Sequence, residues 1–144
     1  MKILVINGPN LNMLGIREPS VYGTDTFADL LAYLEQVAKI ENVEMEQYQS
    51  NHEGDIVDKI QWAYQKMDGI VINPGAYSHT SIAILDALKS VSIPTVEVHI
   101  SDPGTRESFR HIDYVEMASV KAIKGHGFKG YQEAFAFLKE NYDK

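Results

Sequence analysis

The sequence predicts an α/β fold of the flavodoxin-like type, a five-stranded parallel sheet in the order 2-1-3-4-5 with helices on both faces. Three observations predict it. Strand-like and helix-like periods alternate without a break across the 144 residues, as repeated β–α units require. The strand-like runs are mostly apolar rather than alternating, which is the pattern of strands covered on both faces. No linker, repeat or low-complexity stretch interrupts the series, so residues 1–144 read as one domain, long enough to bury a sizeable core. Right-handed crossovers then leave few topologies, and 2-1-3-4-5 is the commonest at this length.

The elements follow in order. Strands are expected at residues 2–7, 43–49, 69–73, 94–100 and about 118–124. Between them, Phe27, Leu30, Leu31, Leu34, Val37 and Ala38 keep the i, i+3, i+4 spacing of one helical face. Ile56, Ile60, Ala63, Tyr64 and Met67 repeat that spacing, and so do Ala87, Leu88 and Val91, then Tyr131, Ala134, Phe135 and Leu138. The helix at 81–91 is apolar almost all round, because Ile82 and Leu85 fall off the face of Ile84, Leu88 and Val91. Such a helix buries two sides, and the second side is expected to meet another subunit.

Composition narrows the function. A net charge of −7 disfavours nucleic acid or an anionic membrane as the main partner. No apolar run approaches the roughly 18 residues of a membrane span. With no Cys, disulfides and thiolate metal sites are excluded, and the expected setting is the cytoplasm. The three Arg, at 17, 106 and 110, fall in two irregular segments while the ten Lys are scattered. Arg offers a bidentate fork for carboxylate or phosphate, so a small anion is expected there; surface salt bridges would give the same pattern.

In this fold, ligands bind beyond the carboxyl ends of the strands. The first such loop, residues 7–23, carries Asn10, Arg17 and Tyr22 but no phosphate-binding glycine motif. After the second strand, Ser50-x-x-Glu53 fits a capping box. After the third, Asn73 sits at the strand end, Pro74-Gly75 forces a turn, and Ser78 is expected to cap the next helix. Asn73 stands where a phosphorylated receiver domain needs an Asp. On the fourth strand, Glu97 and His99 are two apart and point to one face. A carboxylate beside an imidazole fixes its tautomer and favours its protonated form, which suits a general acid. Glu97, His99 and His79 lack any metal-specific spacing. After the fifth strand, residues 125–130 spell G-x-G-x-x-G, but no further strand follows, so this reads as a tight turn rather than a dinucleotide site.

Taken together, Asn7-Gly8-Pro9-Asn10-Leu11-Asn12, Gly15-Ile16-Arg17-Glu18-Pro19, Tyr22-Gly23, residues 49–54, residues 73–81, Glu97-Val98-His99-Ile100-Ser101 and Arg106-Glu107-Ser108-Phe109-Arg110 closely resemble the type II 3-dehydroquinate dehydratases over nearly the whole chain. The resemblance implies a flavodoxin-like hydro-lyase of the shikimate and quinate pathways, a dodecamer built from trimers, needing neither cofactor nor metal. It implies an anti elimination of water from 3-dehydroquinate through an enolate. Tyr22 would be the base and Arg17, on a mobile lid, its activator. His99 would be the acid, held by Glu97, and Asn10 would hold a water near the enolate. Asn73 and the backbone N–H groups of Ile100 and Ser101 would bind the carboxylate; His79 and Arg110 would bind ring hydroxyls. Asp86 would reach a neighbouring subunit's site. The chain departs from the family pattern at residues 101–106 and at His111-Ile112-Asp113, where His-His-Ser is usual. Asp102-Pro103 reads as a helix start, with Asp102 as cap and turned away from the substrate. Two other readings are a flavodoxin-like module that binds a nucleotide or flavin without catalysis, and a related lyase for another cyclic hydroxy acid.

Overall fold

A computed structural model describes residues 1–16, 18–22 and 24–143, with Tyr22 described by its backbone alone. Strands Lys2–Asn7 (β1), Glu44–Gln49 (β2), Gly69–Asn73 (β3), Thr95–His99 (β4) and Lys121–Lys124 (β5) form one sheet in the order β2-β1-β3-β4-β5. Every pairing is parallel. The helices are Pro19–Tyr22 (α1), Phe27–Ile40 (α2), Glu53–Trp62 (α3), Ile82–Val91 (α4) and Lys129–Tyr142 (α5). This is the flavodoxin-like order expected.

Strand alternation splits the core in two. Ile3 and Val5 of β1, with Val71, Val96 and Val98, pack against α2 and α5. Leu4 and Ile6, with Ile70 and Ile72, pack against α3 and α4. Burying one such side chain is worth about 1.5–3 kcal/mol, so a one-residue slip of β1 would put each layer's side chains on the wrong face.

Several local expectations give way. Residues 116–118 form a 3₁₀ turn, so β5 begins at Lys121 rather than near 118. The Ser50–Glu53 capping box does not form. His52 occupies the N-cap of α3, and Ser50 Oγ instead accepts from His52 N at 3.0 Å. Ser78 does not cap α4 either; it sits inside a 3₁₀ turn and donates to Gly75 O. Ser81 is the cap, accepting from Ile84 N at 2.9 Å. The capping box that does form is Thr26 with Asp29 at the start of α2. On α4, Leu85 is buried within the protomer, while Ile82 remains 54% exposed.

The ends of β1 and β3 meet in register at Asn7 and Asn73, and the loops beyond them touch backbone to backbone. Gly8 N donates to Asn73 O at 2.7 Å. A Cβ on Gly8 would stand 2.6 Å from the carbonyl oxygen of Pro74. Gly75 closes the contact from the other side at φ +57°, a conformation that disfavours side chains. Below this contact, the buried Tyr131 hydroxyl donates to Asn7 Oδ1 at 2.6 Å and accepts from Asn73 Nδ2 at 3.1 Å. Gly8→Ala should therefore lower stability by roughly 1–3 kcal/mol, seen as a lower urea midpoint at unchanged slope; an unchanged midpoint would mean the two loops can part without cost.

Candidate active site

A cleft opens at the carboxyl ends of β1, β3 and β4. Asn10, Asn73, His79, His99, Ile100, Ser101 and Arg110 line it, so the structure brings seven of the expected residues to one place. Glu97 stands behind His99 with no solvent exposure. Asp86 does not line the cleft; it is exposed on α4. Arg17 and the side chain of Tyr22 lie outside the described residues.

Each wall has its own support. Asn10 adopts a left-handed conformation at φ 69°, which Asn tolerates better than most residues. Its N–H donates to Asn51 Oδ1 at 3.0 Å. Gln49 Nε2 donates to Gly8 O at 3.2 Å and to Asn51 Oδ1 at 3.2 Å, and Tyr77 Oη donates to Asn51 O at 2.8 Å. Gln49 and Asn51 thus brace the first loop, a role the sequence did not reveal. Asn73 Oδ1 accepts from Gly75 N at 3.1 Å. Its Nδ2 binds Tyr131 and retains a second N–H.

His79 donates from Nδ1 to Ile112 O at 2.7 Å, which leaves Nε2 as an acceptor. Burial holds its pKa below the ordinary imidazole value. Its ring stacks on His99 with centroids 6.4 Å apart. His99 Nε2 donates to Glu97 Oε2 at 3.0 Å, which leaves Nδ1 as the nitrogen able to pass a proton into the cleft. Burial alone would lower the His99 pKa, but Asp113 and Glu97 outweigh it and hold the group up at about 9. Burial pushes Glu97 up to about 8 against the pull of His99. Asp113 is the site residue the sequence reading missed. Burial would raise its pKa, yet His99, Glu97, the Glu116 N–H and Lys124 hold it well below the usual carboxylate range. Glu97, His99 and Asp113 put ligand-type atoms within 4.8 Å of one another. Lys124 Nζ, 3.1 Å from Asp113 Oδ2, already supplies a cation there.

The two described Arg both have protein carboxylate partners. Arg110 Nε donates to Glu107 Oε2 at 2.7 Å. Arg106 lies 3.7 Å from Glu18 and so ties the segment after β4 to the first loop. These two Arg sit on or beside separate 3₁₀ turns, Pro103–Thr105 and Ser108–Arg110, not on one short helix. Asp102 caps the first turn, accepting from Gly104 N at 2.9 Å, with Pro103 next in line. It is not among the cleft's lining residues.

A flavodoxin-like sheet with an imidazole–carboxylate pair at the end of its fourth strand defines an α/β enzyme equipped for proton transfer. The family model for "Dehydroquinase class II" matches residues 1–139, and the chain belongs to that family, a group of hydro-lyases. It is 52% identical over its full length, and the full length of the relative, to a 3-dehydroquinate dehydratase of Clostridium acetobutylicum. It is 54% identical to a catabolic 3-dehydroquinase of Verticillium alfalfae, over 94% of this chain and 91% of that one. Among solved structures, the type II dehydroquinase of Butyrivibrio crossotus superposes with a TM-score of 0.94 at 56% identity, covering 96% of this chain and 97% of that one. The nucleotide- or flavin-binding alternative falls with this assignment. Among the described residues, no helix is long and apolar enough to cross a membrane.

The cap geometry makes Asp102 a test of the cleft's electrostatics. Asp102→Asn should leave KM for the anionic substrate almost unchanged, since Asn and Asp cap about equally well, while Asp102→Ala should cost about 1 kcal/mol of stability. A KM about tenfold lower in Asp102→Asn, worth about 1.4 kcal/mol, would mean that the carboxylate faces the cleft.

Proposed function

We propose that this chain dehydrates 3-dehydroquinate to 3-dehydroshikimate by an anti elimination through an enolate. The observation that carries the reading is the buried Glu97–His99 pair at 3.0 Å, with His99 lining the cleft of a chain of this family. Tyr22, as phenolate, takes the C2 proton and leaves an enolate. His99 then gives a proton to the departing C1 hydroxyl, which leaves as water. The phenol and the neutral imidazole exchange their proton with solvent to reset the site. With the His99 pKa held up at about 9, the acid form persists through neutral pH and is lost as the pH rises through that value.

The other roles rest on the family resemblance, supported by which of these residues line the cleft. Asn10 holds a water near the enolate oxygen. Asn73, with its spare N–H, and the backbone N–H groups of Ile100 and Ser101 receive the substrate carboxylate. Neutral His79 and Arg110 receive ring hydroxyls. A free Tyr titrates near ~10, and each pH unit is about 1.36 kcal/mol. Bringing Tyr22 near ~7 thus asks for roughly 4 kcal/mol, the order that a cation held against the phenolate out of water supplies, the role proposed for Arg17. Asp86, exposed on α4 beside the outward-facing Ile82, reaches a neighbour's site in a dodecamer of trimers. The enzyme works in the cytoplasm and without metal or cofactor.

One assay tests the reading. Purified protein given 3-dehydroquinate should produce a rising ultraviolet absorbance from the conjugated enone, while Tyr22→Phe should lose most of kcat and still bind substrate. Absence of enone formation by the wild type would transfer the site to another cyclic hydroxy acid. Near-normal turnover in Tyr22→Phe would remove Tyr22 as the base.

A further inference from the structure

Glu97 is the expected partner of His99, yet the structure places a second carboxylate there. Asp113 comes from the segment that follows the Ser108–Arg110 turn, and its side chain is only 6% exposed. Its Oδ2 lies 3.8 Å from His99 Nε2. Its Oδ1 accepts from Glu116 N at 3.1 Å. Lys124 Nζ lies 3.1 Å from Oδ2 and also donates to Glu116 Oε2 at 3.0 Å. Lys124 is the register partner of His99 on β5, so the sheet itself sets it beside the imidazole.

Two of the buried side-chain oxygens left without a hydrogen-bond partner among the described residues are Glu97 Oε1 and Asp113 Oδ2. Asp113 Oδ2 still meets the Lys124 ammonium at 3.1 Å, whereas Glu97 Oε1 meets no donor, so one proton shared between the two carboxylates satisfies the oxygen that has nothing. Only one can carry it. Asp113 has the Lys124 ammonium and the Glu116 N–H to stabilise its charge, whereas Glu97 has no exposure and no lysine.

We propose that Glu97 is protonated at neutral pH and donates from Oε1 to Asp113, so that Asp113, clamped by Lys124, is the anion that balances the His99 imidazolium. The result is a chain of donors running from His99 Nε2 to Glu97 Oε2, and from Glu97 Oε1 to Asp113. Asp113 is then a positioning residue acting on His99 through Glu97, and Lys124 opposes it. The direction of the shifts at Glu97 and Asp113, one raised and the other lowered, agrees with this division. Among the described residues, the other groups facing His99 are His79, stacked on its ring and held neutral by burial, and Arg110 beyond it.

The test uses the full chain. Infrared spectra of the wild type at neutral pH should show the carbonyl stretch of a protonated carboxylic acid, absent from Glu97→Gln; no such band in the wild type overturns the proposal. In Asp113→Asn, the NMR titration midpoint of His99 should fall by about one pH unit or more. In Lys124→Gln it should rise, and since Lys124 is part-exposed on the edge strand this variant serves if Asp113→Asn fails to fold. A merely structural role would lower turnover at every pH and leave both midpoints in place, which would also overturn the proposal. The rate limb rests on the reading of His99 as the acid: the alkaline limb of kcat/KM for 3-dehydroquinate should move with the midpoint. Midpoints that move while the limb stays uphold the charge assignment and remove His99 as the acid.

Discussion

A carboxyl group with no exposure to solvent, set in the middle of a parallel sheet, governs how the carboxyl end of this molecule is built. Glu97 lies on β4 beside Ile72 of β3 and Ala122 of β5, on the face whose buried layer of Leu4, Ile6, Ile70 and Ile72 packs against α3 and α4. A bare anion there would cost several kcal/mol even after relaxation. A fold can meet that cost by neutralising the group or by surrounding it with hydrogen bonds and counter-charge. Here every neighbour that polarity requires arrives from a different element: His99 from the same strand, Asp113 from the following segment, Lys124 from β5. The placement of those elements is therefore constrained by one side chain, and the imidazole that satisfies it is the group that faces the cleft.

The second constraint is the junction of β1 and β3. Gly8 and Pro74 approach closely enough to exclude any side chain at residue 8, and Tyr131 of α5 bonds both strand-end asparagines. The Tyr131 hydroxyl is fully buried, and burial pushes its pKa up, so at neutral pH it serves as a neutral donor and acceptor. This bond fixes the floor of the cleft from below. Gln49 and Asn51 fix its rim from β2. Neither set touches the chemistry, yet a displacement of about 1 Å in reacting groups can cost a hundredfold in rate, so such bracing matters as much as the groups it holds.

What the sequence made legible follows from range. Strand positions and sheet order could be read because apolar runs and helical periods are local signals, and the Glu97–His99 pair could be read because both residues share one strand. Capping went wrong where two signals competed. Ser50 and Ser78 each had a plausible cap pattern, but both hydroxyls found a nearer backbone partner, while Thr26 and Asp29 formed the box that the same rule could have found. Asp113 was visible only as a departure from the family pattern. Its meaning depends on Lys124, eleven positions away and beside His99 only through the parallel register of β4 and β5. No period or motif encodes that contact. The three Arg, read as anion ligands, include at least two with protein carboxylates as partners, so that signal reported both binding and bracing.

The division of labour around the cleft has an energetic reason. The His99 side stands on β4 and β5, whose side chains are fixed by the sheet and by burial, so the orientation of His99 is set by folding and draws nothing from ligand binding. The first loop is tied at Gly8 to Asn73 and Gln49, but further along it meets the rest of the site through more exposed bonds such as Asn10 N to Asn51 and Glu18 to Arg106. Exposed pairs of this kind contribute little, about 0–1 kcal/mol. A substrate carboxylate that engages Ser101 and Asn73 would add contacts at the meeting point of the two sides. Binding energy is best used for what is realised only near the transition state. In this molecule the fold fixes the His99 side of the cleft, and on the proposed reading the substrate is left to organise the other.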